Sequence, residues 1–265
     1  MATPDNHSSL KPLLSVVVPV HNEAANIGAL VAEISHAMTE LGAFEIIVVN
    51  DGSTDETGQV LAQAAQSDAQ LIVVTHATNF GQSAALLSGV RAASAAWIAT
   101  LDGDGQNDPA DIPGLWRRLQ SADPGENLKL IAGHRQDRRD SWVRRVSSKI
   151  ANGVRGGLLG DGTPDTGCGL KLIERKTFLE LPYFDHFHRF FPALVQRAGG
   201  RVESVPVGHR PRGGGQSHYG VGNRLWAGIV DLIGVLWLKR RGRFPQARDI
   251  TISQLSKNEE TPDDR

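Results

Sequence analysis

The stretch TLDGDGQNDP, Thr100 to Pro109, sets Asp102, Asp104 and Asp108 within seven residues at the end of an apolar run. Like charges this close disfavour their own ionised forms and destabilise a fold unless a positive group offsets them. Hard carboxylate oxygens suit a small divalent cation, Mg²⁺ or Mn²⁺, which can also bridge the oxygens of a diphosphate. An isolated Asp-Gly turn is the bland alternative. It leaves unexplained three further polar clusters, each at the end of its own apolar run.

Those runs read as buried strands. LLSVVVPV (Leu13–Val20), FEIIVVN (Phe44–Asn50), LIVVTH (Leu71–His76) and AWIATLD (Ala96–Asp102) are short, apolar and rich in β-branched residues. Between them lie helical patterns. Ile27, Leu30, Val31 and Ile34 recur at helix spacing, STDETGQVLAQAA opens with a Ser or Thr cap signature, and QSAALLSGVRAA follows the third strand. Such alternation predicts an α/β fold, a mostly parallel sheet flanked by helices, with ligands beyond the carboxyl ends of the strands. The first strand ends in Pro19, His21, Asn22 and Glu23, and the second in Asn50, Asp51, Gly52 and Ser53. The third leads to Asn79, Phe80, Gly81 and Gln82, and the fourth to Asp102 and Asp104. The site is nucleotide-sized but has neither GxxxxGK[ST] nor GxGxxG after its first strand. A metal on the Asp102/Asp104 pair replaces the missing phosphate cradle.

Composition excludes several classes. The 265 residues are 40% hydrophobic and 22% charged, with a net charge of −1, so no global field points to nucleic acid. Cys168 is the single cysteine, which rules out an internal disulfide and suits a reducing compartment. Flanked by glycines, it reads as packing. Residues 1–12 are expected to be a disordered lead-in with no signal-peptide core, and residues 244–265 a flexible tail. LWAGIVDLIGVLWL, Leu225 to Leu238, is only 14 residues long and is interrupted by Asp231, short of the ~20 needed to span a bilayer. With KRRGR (Lys239–Arg243) after it, the segment 221–243 reads as an amphipathic helix on a membrane surface, Trp226, Ile229, Ile233 and Trp237 toward lipid. A buried carboxy-terminal helix is the competing reading.

From Gly133 the alternation breaks. Seven Arg or Lys residues fall between Arg135 and Arg155, with Arg144, Ser148 and Arg155 on one helical face and Trp142, Val146 and Ile150 forming an apolar stripe. A helix of that kind can dock an anionic headgroup. His186 and His188 form an HxH pair without further ligand spacing, which argues against zinc.

VVVPVHNE, VVNDGSTD, NFGQSAALLSGV and LDGDGQNDP resemble the nucleotide-sugar motifs of family 2 glycosyltransferases with the GT-A fold. RQDRRDSWVRRVSSKIAN, DTGCGLKLI and HRPRGGGQSHYG are similar to the polyprenyl-phosphate glycosyltransferases, including dolichol-phosphate mannosyltransferases and bacterial undecaprenyl-phosphate sugar transferases. The resemblance covers residues 13 to 240. It implies that Asp102, Asp104 and Gln106 form the metal and diphosphate triad, and that Pro19, Asn22, Glu23, Asp51, Ser53 and Gln82 belong to the nucleotide-sugar pocket. It also implies that Arg135, Arg144, Ser148 and Arg212 grip the acceptor phosphate and the donor's diphosphate. Asp104, Arg135 and Arg144 are then the residues expected to carry catalysis. Gly103 and Gly105 depart from the family's commoner DADLQ, which puts the stiffness of the metal loop in question, and His218 stands where a Lys is frequent.

On this reading the domain spans 13–220 and transfers a sugar, with inversion, from a GDP- or UDP-sugar to a polyprenyl phosphate. Its place is peripheral, on the cytoplasmic membrane's inner face, with no nucleic-acid partner. A phosphate monoester is already largely deprotonated at pH 7 and needs cations rather than a general base. Two alternatives stay open: transfer to a hydroxyl, for which Asp165 is the best candidate base, and a non-catalytic sugar-nucleotide sensor.

Overall fold

The computed structural model describes residues 11–135, 156–211 and 221–241, with the backbone alone over 221–227. The expectations for Trp142, Arg144, Val146, Ser148, Ile150, Arg155, Arg212, His218 and the side chain of Trp226 lie outside the described residues, as do those for residues 1–10 and 242–265.

Seven strands form one sheet in the order β3-β2-β1-β4-β6-β5-β7. They are β1 (Leu14–Val20), β2 (Phe44–Asn50), β3 (Leu71–Thr75), β4 (Trp97–Thr100), β5 (Leu128–Arg135), β6 (Lys171–Glu174) and β7 (Arg201–Val207). β1 pairs in parallel with β2 and β4, β2 with β3, and β5 with β7. β6 runs antiparallel between β4 and β5, setting Lys171 opposite Thr100. The sheet is therefore mixed but mostly parallel.

β1 shows why the sheet is a middle layer. All seven of its residues are buried, and its side chains alternate between two cores. Val16 and Val18 join the core of α1 (Ala24–Met38), α2 (Thr57–Ser67) and α4 (Ile112–Gln120). Val17 joins the core of α3 (Gln82–Ala92), α5 (Arg175–Glu180), α6 (Phe191–Arg197) and α7 (Val221–Arg241). Ile27, Leu30, Val31 and Ile34 are the buried face of α1, as their spacing requires.

Two sequence expectations are corrected. β4 ends at Thr100, so Asp102 stands in the loop beyond the sheet. α2 starts at Thr57, later than the cap signature implied. Asp55 accepts from the Thr57 amide at 3.0 Å, while Ser53 Oγ and the Thr54 amide are used by the loop after β1. The helix α7 has one face in the core and one exposed. Val235 is fully buried, with Leu232, Leu236 and Leu238 beside it on the core, yet Ile229, Val230, Ile233 and Trp237 stand exposed on another face. Its basic end is partly used, since Lys239 Nζ donates to the Leu159 carbonyl, leaving Arg240 and Arg241 exposed.

Candidate active site

The four polar clusters do meet at one edge of the sheet, and they are bonded to one another in sequence. The Asn22 amide donates to Ser53 Oγ (3.0 Å), and Asn22 Oδ1 accepts from the Thr54 amide (2.8 Å). The Glu23 amide donates to Thr57 Oγ1 (2.9 Å), while Glu23 Oε2 accepts from Asn26. Asn22 holds a left-handed backbone, φ 55°, a conformation Asn tolerates better than most residues. Asp51 then joins the second loop to the third. Its carboxylate accepts from the amides of Phe80 (2.9 Å) and Gly81 (2.7 Å) and lies 2.7 Å from His76 Nδ1. Gln82 joins the third loop to the fourth, its Nε2 donating to Asp102 Oδ1 at 2.8 Å.

The three clustered carboxylates have different fates. Asp108 Oδ1 caps the next short turn by accepting from the Ala110 amide at 2.9 Å, and Arg210 Nη2 lies 2.7 Å from it. Its compensating charge is that arginine. Asp104 Oδ1 accepts from the Gln106 amide at 3.1 Å, and the Gln106 carbonyl accepts from the Arg210 amide. For Asp102, burial pushes the carboxyl pKa up and the neighbouring Asp104 adds to it, against the pull of Lys171, Arg135 and the Gln82 hydrogen bond.

Asp102 and Asp104 thus retain mutual repulsion that a cation would relieve. No third His, Cys, Asp or Glu completes a metal cage among the described residues. Two carboxylates on one loop fit Mg²⁺ or Mn²⁺, which take their remaining ligands from water and diphosphate oxygens. Gly103 is required by packing, because a Cβ there would lie 2.5 Å from Val20 Cγ1 and 3.0 Å from the Pro19 carbonyl. The glycine thus seats the loop on the end of β1, where Pro19 is buried. Gly169 is needed from the opposite side, since its Cβ would fall 2.3 Å from Asp102 Oδ2.

A cleft of about 480 Å³ opens beside Asp102, reaching Arg135, Lys171, His188 and Arg189. Arg135 is held at two points by Asp165, Nε to Oδ2 at 2.7 Å and Nη2 to Oδ1 at 2.9 Å. Lys171 is buried and donates to the Cys168 carbonyl; burial lowers its pKa, and the nearby Asp102 and Asp165 carboxylates oppose that. Cys168 is fully buried and burial raises its thiol pKa, as a packing role requires. Sequence reasoning gave no site role to Lys171, Arg189 or Gly169, and weighed His188 only as a zinc ligand. A lone Lys inside the apolar strand GLKLIE was the available signal for the first.

The family model described as "Glycosyl transferase family 2" matches residues 15–181, most of the described chain and all four clusters. The chain belongs to glycosyl transferase family 2. Among curated members it is 35% identical to the dodecaprenyl-phosphate galacturonate synthase of Rhizobium johnstonii over 232 residues, 86% of this chain and 67% of that protein. It is 33% identical to the undecaprenyl-phosphate 4-deoxy-4-formamido-L-arabinose transferase of Edwardsiella ictaluri over 210 residues, 78% of this chain and 63% of that one. The family 2 chain therefore spans about two thirds of the length of these relatives. Its fold is similar to glucosyl-3-phosphoglycerate synthase from Mycobacterium tuberculosis, crystallised with Mn²⁺, UDP and phosphoglyceric acid. The TM-score is 0.66 at 21% identity, over 88% of this chain and 80% of that one. Mannosyl-3-phosphoglycerate synthase from Rubrobacter xylanophilus gives 0.65 at 18%, over 90% and 77%. The family 2 domain has the GT-A architecture expected of it.

Proposed function

We propose that the protein transfers a sugar from a UDP- or GDP-sugar to the phosphate of a polyprenyl lipid, inverting the anomeric carbon, at the inner face of the cytoplasmic membrane. The observation that carries this reading is the setting of α7. Its exposed stripe includes Ile233 (61% exposed) and Trp237 (60%), a surface suited to lipid, while its other face packs in the core shared with α6. Asp231 on the same helix lies 3.5 Å from His186, two residues before His188 in the cleft. On this reading the helix that meets lipid is joined, through His186, to the turn whose His188 lines the cleft. No helix among the described residues is long and apolar enough to cross a membrane, and the reading assigns α7 to peripheral attachment.

The chemistry follows from the charges. A phosphate monoester acceptor brings its own nucleophilic oxygen, so the chain needs to position it and offset repulsion. Asp165, the base a hydroxyl acceptor would use, is engaged with Arg135, which counts against that alternative. Asp102 and Asp104, with Gln106, are the residues to hold Mg²⁺ or Mn²⁺, which when bound supplies charge neutralisation for the departing nucleoside diphosphate. Gln82 keeps Asp102 in place, while Arg135 and Lys171 make the cleft cationic where donor and acceptor meet. Pro19, Asn22, Glu23, Asp51 and Ser53 build the nucleotide side of the site. Arg144, Ser148 and Arg212 are assigned to the acceptor phosphate.

The test is incubation with UDP- and GDP-sugars and Mn²⁺, offering polyprenyl phosphate in detergent beside free sugars. A sugar phosphodiester of the lipid is the expected product. Transfer only to hydroxyls, or nucleotide-sugar binding without transfer, would overturn the reading in favour of the two alternatives respectively. Galacturonate and formamido-arabinose, named for the relatives, are the first sugars to try.

A further inference from the structure

The pair His186 and His188 lacks a third zinc ligand among the described residues, yet its second member lines the cleft. His188 sits in the short turn Phe187–Phe190 before α6, and its ring Nδ1 lies 2.8 Å from Ser83 Oγ. Gln82, the residue before Ser83 in the first turn of α3, holds Asp102. Consecutive Cα atoms are about 3.8 Å apart. One helical turn therefore anchors the metal-loop carboxylate and the imidazole side by side, both on the same cleft. With Nδ1 engaged, Nε2 is the ring nitrogen left to meet a ligand.

We propose that His188 is a specificity-determining residue whose Nε2 hydrogen-bonds a hydroxyl of the sugar being transferred. The inference rests on the glycosyltransferase reading above. The ring's environment suits the role. Burial holds the imidazole pKa well below its usual value, and Lys171, Arg189 and His186 push the same way, so the ring is neutral at pH 7 among cations. Phosphates are drawn to those cations and to a metal at Asp102. A hydroxyl both donates and accepts, and a neutral imidazole braced by a serine offers it a single nitrogen of fixed orientation without competing for the phosphates. The sugar is bonded to the diphosphate, so it must lie beside Asp102, where His188 stands. A site built this way rejects sugars lacking the hydroxyl, because the buried nitrogen is then left unpaired.

The test titrates wild type, His188→Gln, His188→Asn and His188→Ala with UDP and GDP, then with UDP-glucose, UDP-galacturonate and GDP-mannose, all with Mn²⁺. A glutamine amide reaches the position of Nε2, an asparagine amide only that of Nδ1. Binding of the bare nucleotide should stay within about twofold throughout. Affinity for the preferred sugar nucleotide should fall by roughly tenfold or more in the Ala and Asn variants and recover in Gln, with sugar preference flattened in Ala. Rescue by Asn instead of Gln, or an Ala variant with wild-type sugar preference, would mean the ring only braces Ser83 and overturn the inference. A wild type that binds bare nucleotide and discriminates sugars while all variants do the same overturns it alone. A wild type that binds none of the probes overturns the glycosyltransferase reading, and the inference with it.

Discussion

The side-chain amide of Gln82 donates to Asp102 Oδ1 at 2.8 Å, so the start of α3 is bonded to the loop that follows β4. This is the last of the links joining the four strand-end loops, after Asn22 to Ser53 and Asp51 to Gly81. Gln82 itself is exposed, so its substitution removes the link without opening a cavity.

Gln82→Ala should therefore lower turnover by about tenfold, the worth of one hydrogen bond to a charged group, with the melting temperature nearly unchanged. Steady-state kinetics beside a thermal melt measures both. Wild-type kinetics in this variant would show that Asp102 needs no tether.

Asp104→Asn keeps the shape of the loop and removes one of two negative charges. Turnover should fall by about a hundredfold or more, and a chelator should do the same to wild type until Mn²⁺ or Mg²⁺ is returned. Full activity in chelator would exclude a metal.

Gly169→Ala places a methyl within 2.3 Å of Asp102 Oδ2, inside contact distance. Backbone or carboxylate must shift, at a cost of about 1–3 kcal/mol in stability. Activity should fall further than stability alone explains, because the displaced group is Asp102. Gly105→Ala is the contrast. No atom lies within 4 Å of a Cβ there, so only its φ of 71° opposes the change and Asp102 is left undisturbed.

Ile233→Glu and Trp237→Glu alter exposed positions of α7, so the fold should tolerate them. Wild type should co-sediment with anionic vesicles at low salt and release near about 1 M, where screening length falls to ~3 Å. The double variant should lose that binding and act on short soluble acceptors better than on long-chain ones. Equal sedimentation of the two proteins would remove α7 from membrane attachment.

Asp231 carries a pH signature. Burial raises its carboxyl pKa, partly offset by His186 and Arg189. The native state then keeps this proton to higher pH than the unfolded chain does, so stability falls as pH rises through the window above the ordinary carboxylate value. Asp231→Asn has no charge to desolvate. It should melt higher than wild type at pH 7, and the gain should shrink as pH is lowered toward 4. A gain that grows on acidification would reverse the assignment.

The meeting of the four polar clusters was legible because parallel strands align their carboxyl ends. Four apolar runs, each followed by polar residues, can only bring those residues to one edge, although β3, the edge strand, buries only Leu71 fully. The neighbouring strand β5 and helix α4 were not anticipated. LKLIAGHR is interrupted by Lys129, which pairs with Glu174, and IPGLWRRLQ carries Pro113 in its first turn and two arginines in its last, which obscure its apolar face.

What the sequence alone determined were the alternation of strands and helices, the edge at which the strand-end clusters gather, and the carboxylate loop on which a metal fits. These follow from local periodicity and from residue types at short spacing. Only the tertiary structure decided which charges cancel. Asp108 meets Arg210 from 102 residues away, and Arg135 meets Asp165 across 30. It also decided that β6 runs against its neighbours, bringing Lys171 opposite Thr100, and that Ser83 meets His188 across 105 residues. The physical reason is that such pairings depend on strand order and register. Those are set by how whole elements pack, which no spacing along the chain records.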